Sequence, residues 1–263
     1  YRGDKEKDPF QTDILILSGG EDEFMAKFNY KGFRYVEVTS DKPIELDQNS
    51  LTAYFMHSDV PPVGTIKTSS ELVNKLWWAT NNAYLSNLMG YPTDCPQREK
   101  NGWTGDGHFA IETALYNFDG ITVYEKWLAD HRDEQQPNGV LPDIIPTGGW
   151  GYGTDNGLDW TSTIAIIPWN LYMFYGDSKP LSDCYENIKR YVDYVEKNSK
   201  IIQANPDKDI LYIRWGFRVQ IKNLHRLFIS MSIPGFWQMQ PGCLINKQIT
   251  NITQLWLKRS KRQ

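Results

Sequence analysis

The feature that most constrains this chain is a change of apolar period at Ser70. Before it, residues 12–60 read as β structure. "DILILSGG" ends in a glycine turn, and "FNYKGFRYVEVT" sets Phe33, Tyr35 and Val38 among polar residues around a Lys31-Gly32 turn. This is the pattern of the last strands of a β-sandwich, with "HSDVPPVGTIKTSS" as a linker. After Ser70 the spacing is helical. Thr68 and Glu71 form a capping-box pattern, and Leu72, Leu76, Ala79 and Ala83 share one face with Val73, Trp77 and Tyr84 beside them. That predicts a helix to about residue 89. Further helices are predicted over about 107–117, 121–132, 161–175 and 183–198. A Gly/Pro/Asp-rich loop of about 28 residues precedes residue 161, and loops of that length usually carry function. Helices joined by long glycine- and aromatic-rich loops suggest an α-barrel or toroid whose loops build a site at one end.

Composition narrows the function classes. The net charge of −4 gives no global reason to expect nucleic acid or an anionic membrane as partner. No apolar run approaches the roughly 18 residues of a membrane span, so no membrane insertion is expected. The opening "YRGDKEKDPF" is charged and does not read as a signal peptide. Cys95, Cys184 and Cys243 are too widely spaced for a disulfide framework or a zinc site, and neither metal nor cofactor is expected. Aromatic content is high, with 10 Trp and 15 Tyr. Such side chains are natural platforms for the apolar faces of sugar rings.

The last fifth of the chain differs from the rest. All 32 acidic residues lie at or before Asp209, while residues 210–263 carry Lys and Arg but no Asp or Glu. Acids spread as in the first 209 residues would give this with a chance below about one in a thousand, against the mixed charge of ordinary globular chains. A basic nucleic-acid or membrane-surface tail is one reading. The favoured reading is a shifted frame. Suitable codons read one register over give a string of mixed charge with strong helix formers and an apolar stripe.

The stretch "TDCPQREKNGWTGDGH" (residues 93–108) gathers Asp94, Arg98, Glu99, Lys100, Asp106 and His108 around Trp103. Glycosidic cleavage needs two carboxyls, one protonating the leaving oxygen and one attacking or activating water. Asp94, Glu99 and Asp106 can converge only if the backbone turns between them, as Pro96 and Gly102 permit. Spacing alone leaves a solvated turn and a catalytic loop both open. Trp103 and Trp160 are equally open between core and sugar wall. Asp155 and Asp159 either line a site or cap the next helix. His108 is expected as a satisfied polar residue, and "GGWGYG" lacks the Lys of a phosphate-binding loop.

Three blocks carry a resemblance. "DCPQREKNGWTGD" resembles the signature of family 78 glycoside hydrolases, the α-L-rhamnosidases; "DWTSTIAIIPWNLYMFYGD" resembles that family's second block; and "FNYKGFRYVEV" resembles the strands leading into its catalytic domain. The blocks stand in the family's order over residues 28–196. The resemblance implies a mainly α chain: residues 1–60 ending a β-sandwich, 61–212 the first part of an (α/α)6 barrel, and 213–263 the atypical basic tail. It implies inverting hydrolysis of terminal α-L-rhamnose from a rhamnose-containing glycoside or polysaccharide, in the periplasm or outside the cell. Glu99 would be the general acid. Asp94, Arg98, Trp103, Asp106, Asp159 and Trp160 would bind the sugar. Many members carry one more residue between this Arg and the Gly-Trp, so Glu99 aligns with either of two neighbouring acidic positions.

The family's general base lies in later barrel helices, and the Gly-Asp-Trp block expected near residue 212 is replaced by "IRWGF". The chain as written is therefore expected to have little or no rhamnosidase activity. The alternatives are another (α/α)6-barrel glycosidase, or a non-catalytic sugar-binding fragment.

Overall fold

The computed structural model describes residues 11–152, 158–198, 210–212 and 218–220. They fall into two units, Tyr1–Val195 and Glu196–Gln263. The first unit holds the helices, the last of them as far as Val195, and the second holds two short strands.

Helix α1 (Glu71–Ser86) starts close to the predicted residue but is capped differently. Ser70, not Thr68, is the N-cap, its hydroxyl accepting the Val73 N–H at 3.5 Å. Thr68 instead exchanges bonds with the Asn74 amide, at 2.8 and 3.0 Å. That exchange occupies both backbone groups of Thr68 and holds it outside the helix. Glu71 pairs with Lys75 on the surface, an i,i+4 contact worth a few tenths of a kcal/mol.

The packed face of α1 is also not the predicted one. Leu72 and Leu76 are exposed at 67% and 58%, whereas Asn81, Tyr84 and the following Leu88 are buried. The cause is polar anchoring at helical spacing. Trp77 Nε1 donates to Asn117 Oδ1 (2.8 Å), Tyr84 OH meets Tyr124 OH (3.3 Å), and the Tyr84 ring stacks on Phe118 at 5.6 Å. Buried Tyr and Trp usually find a hydrogen-bond partner, and both do so on this face.

The helix predicted over 107–117 begins three residues earlier and divides at Ala110 into α2 (Thr104–Phe109) and α3 (Ile111–Asn117). Helix α4 (Ile121–Glu134) follows. The next predicted helix is a turn, α5 (Leu158–Thr161), then α6 (Thr163–Tyr175), which carries Pro168 internally. Gly176, left-handed at φ 69°, stops α6 by donating its N–H to Tyr172 O. Helix α7 (Lys179–Asn198) begins four residues before its predicted start. Asp177 accepts the Lys179 N–H, and Pro180 lies in the first turn, where no backbone donor is needed.

The core lies between α4 and α6. Tyr124, Trp127 and Leu128 meet Ile164, Ile167 and Leu171, all at most 1% exposed. The amphipathic α7 buries Cys184, Ile188 and Tyr191, and Tyr191 OH lies 3.0 Å from the Thr161 hydroxyl. The described helices are fewer than the twelve full-length ones that six helical hairpins require, as expected for a partial (α/α)6 barrel.

Residues 11–60 take an extended path without a strand ladder. Ile16, Phe28 and Tyr35 are 91%, 100% and 87% exposed. The alternating pattern is there, but a strand is stable only beside others that cover its apolar face, and among the described residues nothing does. In the second unit, β1 (Ile210–Tyr212) pairs antiparallel with β2 (Arg218–Gln220), Leu211 opposite Val219, where the sequence shows no strand period. The rest of the atypical tail lies outside the described residues. No described helix is long and apolar enough to cross a membrane.

Candidate active site

Residues 94–101 form a loop closed at its neck. Asp94 N–H donates to Asn101 O (3.0 Å), and Asn101 N–H returns to Asp94 Oδ1 (3.0 Å). Within the loop, Lys100 N–H reaches Cys95 O (3.2 Å), and Glu99 N–H reaches Cys95 Sγ (3.3 Å). Thr93, just outside the neck, is buried and donates its hydroxyl to Asn87 O at 3.1 Å. A solvated turn has no need of these bonds. The loop is a built structure, and its residue types follow from that: half-buried Asp94 serves the neck, and Cys95 serves as an internal acceptor.

Lys100 has φ 56°, the only left-handed non-glycine among the described residues. An L side chain there costs about 1 kcal/mol or more. Its Nζ donates to Asn29 Oδ1 (2.8 Å) and Tyr30 O (2.7 Å), and lies 4.9 Å from the centre of the Tyr30 ring.

The loop presents its acid against an aromatic. Trp103 Nε1 donates to Glu99 Oε2 at 2.8 Å. Indole N–H can only donate, so Oε2 is fixed as acceptor and a proton on this carboxyl sits on Oε1. Asp106 stands on the first turns of α2. The residue as a whole is exposed, yet its carboxyl is packed closely enough that partial burial pushes its pKa above the ordinary carboxylate range. Its own backbone N–H opposes that shift, and the carboxylates of Asp94 and Glu99 add to it. That repulsion places all three carboxyls in one electrostatic neighbourhood.

The aromatic wall comes from three parts of the chain. Trp160 lies edge-on to Trp103, ring centres 6.5 Å apart, and edge-on to Phe109 at the same distance. The Trp160 indole rests on Gly105, where a Cβ would come within 2.7 Å of the ring. Its Nε1 is buried without a hydrogen-bond partner among the described residues. Trp150 of the "GGWGYG" stretch lies 6.4 Å from Trp103.

The long loop is clipped to this wall. Thr104 N–H and hydroxyl both reach Asp143 O (2.9 Å each), Ile145 N–H reaches Gly102 O (2.9 Å), and Trp127 Nε1 reaches Ile145 O (2.8 Å). Gly102 permits that approach, since a Cβ there would fall 2.1 Å from Ile145 O.

Of the residues singled out from sequence, Asp94, Glu99, Trp103, Asp106 and Trp160 thus come together. Arg98 is on the same loop but exposed, and makes no ion pair among the described residues. Asp159 lies on α5 with its side chain outside the described set, as is Asp155 altogether. His108 is buried, its ring 4.3 Å from Phe109. Sequence reasoning missed Trp150, Phe109 and the Asn29–Tyr30 contact. The aromatics gave no periodic signal, and the contact spans about 70 residues. Among the described residues no group of three or more His, Cys, Asp or Glu is placed to hold a metal.

Three carboxyls beside an aromatic wall suit a pyranose, whose hydroxyls bond the carboxylates while its apolar face meets indole. The profile of the bacterial alpha-L-rhamnosidase 6 hairpin glycosidase domain matches residues 61–216, and that of the bacterial alpha-L-rhamnosidase concanavalin-like domain matches residues 3–57. The second match agrees with the sandwich reading of the extended segment. An α-L-rhamnosidase of Streptomyces avermitilis is 35% identical over 191 residues, 72% of this chain and 18% of that protein. One of Alteromonas sp. (strain LOR) is 32% identical over 207 residues, 76% of this chain and 22% of that protein. The structure of the α-L-rhamnosidase from Dictyoglumus thermophilum matches with a TM-score of 0.53 and 38% identity, over 60% of this chain and 17% of that one. That of the Streptomyces avermitilis α-L-rhamnosidase complexed with L-rhamnose matches with a TM-score of 0.52 and 33% identity, over 55% and 14%. The chain spans about a fifth of the length of the curated relatives it matches. With more than half its length under the six-hairpin profile, this chain belongs to the bacterial α-L-rhamnosidase six-hairpin glycosidase family.

Proposed function

We propose that this chain carries the acid-bearing side of an α-L-rhamnosidase site, acting on terminal α-L-rhamnose by inversion. Glu99 is the general acid, and Asp94, Arg98, Trp103, Asp106, Asp159 and Trp160 bind the sugar. The observation that carries this reading is the Trp103–Glu99 hydrogen bond. It fixes one carboxyl oxygen and leaves Oε1 to deliver a proton to the glycosidic oxygen. The C–O bond then breaks with positive charge developing on the sugar ring, which Asp94 and Asp106 stabilise. A relative crystallised with L-rhamnose supports the choice of sugar.

Asp94, Glu99 and Asp106 come from one loop and the helix after it, so they line one side of a sugar. Inversion needs a base carboxylate on the opposite face, about 6.5–9.5 Å from the acid, to activate water. We take that base to lie outside this loop, and expect the chain as given to bind rhamnose better than it turns over a rhamnoside.

Calorimetry with L-rhamnose, alongside assays on a panel of aryl glycosides, tests this. The expected result is rhamnose binding that Trp103→Leu and Asp106→Asn weaken, with slow turnover confined to the aryl α-L-rhamnoside. No rhamnose binding would overturn the reading. Robust turnover would overturn the one-sided site, and preference for another glycoside would favour a different sugar.

A further inference from the structure

We propose that Lys100 is a positioning residue for the acid loop, and that residues 29–32, from the β half of the sequence, are the wall to which it clamps. The role rests on Glu99 being the reactive carboxyl.

The contact grips the chain on both flanks of Glu99. On one side, Lys100 Nζ donates to Asn29 Oδ1 and Tyr30 O and covers the Tyr30 ring. On the other, Gly32 lies so close to the loop that a Cβ would meet Gln97 N at 2.9 Å and Pro96 C at 3.0 Å. The gripped segment differs from its surroundings. Phe28 and Phe33 are exposed at 100% and 55%, while residues 30–32 are partly buried. Burial raises the Tyr30 phenol pKa, with Tyr91, Asp94 and Cys95 adding to the shift. Tyr30 therefore abuts the root of the acid loop.

The left-handed backbone of Lys100 makes the clamp consequential. Glycine is the usual solution at φ 56°, yet a lysine is held there. Its backbone still donates to Cys95 O, whose side chain receives Glu99 N–H. Released from Asn29 and Tyr30, residue 100 relaxes toward the ordinary right-handed region. That rotates the chain on either side, moving Glu99 away from Trp103 Nε1 and Asn101 N–H away from Asp94 Oδ1. The lysine acts through Glu99 and touches no substrate.

The Trp103 indole N–H resonance reads this directly in the ¹⁵N-labelled 263-residue chain, without turnover, once assigned by Trp103→Phe. In the parent it reports the bond to Glu99 Oε2, and Glu99→Gln should shift it by replacing a carboxyl acceptor with an amide. Lys100→Met should shift the resonance too, with Lys100→Arg staying near the parental position and Asn29→Ala lying between. The buried Trp127 indole resonance should stay in place and reports folding. Should Lys100→Met fail to fold, Lys100→Ala loses the clamp while keeping an L side chain at φ 56°. A Trp103 resonance at its parental position in Lys100→Met or Lys100→Ala overturns the proposal. Adding L-rhamnose to the parent is a separate arm: an unmoved Trp103 resonance counts against the rhamnosidase reading, whatever the lysine variants show.

Discussion

Gly105→Ala tests the aromatic wall where its tolerance is smallest. The added Cβ would lie 2.7, 2.8 and 2.9 Å from Cε2, Cδ2 and Nε1 of Trp160. Ordinary carbon contacts sit at about 3.5–4.0 Å, so the indole must retreat by about 1 Å. It cannot do so freely, because Trp103 and Phe109 both pack edge-on against it, each 6.5 Å away between centres. Forced repacking of this kind costs about 1–3 kcal/mol, and alanine's better helix propensity returns up to about 1. A net loss of about 1–2 kcal/mol should lower Tm by about 2–8 °C for a chain of this size. Rhamnose affinity should fall with it, since the displaced ring is the proposed sugar wall. Thermal melts followed by calorimetry measure both. Gly20→Ala is the control, because the nearest atom to its Cβ is 3.8 Å away. Trp160→Leu adds a double-mutant cycle, in which the cost of Gly105→Ala should largely vanish without the indole. A Gly105→Ala chain that melts within about 1 °C of the parent, against the cost expected for overpacking, refutes the reasoning. So does one whose loss persists in the Trp160→Leu background.

Two further outcomes follow from the same core. His131 is fully buried, with Nδ1 against Trp127 O at 2.7 Å and Nε2 without a hydrogen-bond partner among the described residues; burial lowers its pKa from 6.5 to about 4. The unfolded chain then takes up a proton that the folded one refuses. Stability should fall by about 3 kcal/mol as pH drops from 6.5 to 4, and His131→Leu should flatten that part of the profile in denaturant melts at stepped pH. Trp127→Phe removes the donor to Ile145 O and part of a fully buried side chain, for a loss of about 2–4 kcal/mol. It should also speed hydrogen exchange at the Ile145 N–H bonded to Gly102, and unchanged exchange there would show that Trp127 does not hold the long loop.

What was legible in the sequence was what is local in the chain. The bonds that close the acid loop on itself span at most seven residues: Asp94 to Asn101, Cys95 to Lys100, Glu99 to Trp103. A motif quoted as a string therefore carried that part of its geometry, while the bonds from Lys100 to Tyr30 and from Ile145 to Gly102 lay beyond it. The stop of α6 at Gly176 is local in the same way. The packed face of α1 was not legible, because it depends on Asn117 and Tyr124, each 40 residues away. Leu72 and Leu76 made a cleaner apolar stripe than Trp77, Asn81 and Tyr84, and only tertiary partners decide between such faces.

The same distinction explains why the acid loop and the aromatic wall should fail differently under mutation. Glu99 and Trp103 are four residues apart, so their hydrogen bond costs little chain entropy once the neck closes. The wall needs Trp160 brought to Gly105, and the long loop brought to Gly102, each across more than 40 residues and each through a glycine that admits no side chain. Loss of core packing should therefore disperse the wall before it opens the loop. Lys100 is the exception within the loop, since its partners lie 70 and 71 residues upstream. It ties a locally built carboxyl to a distant part of the chain. Without that tie the loop can keep its closed neck yet lose the aim of Glu99.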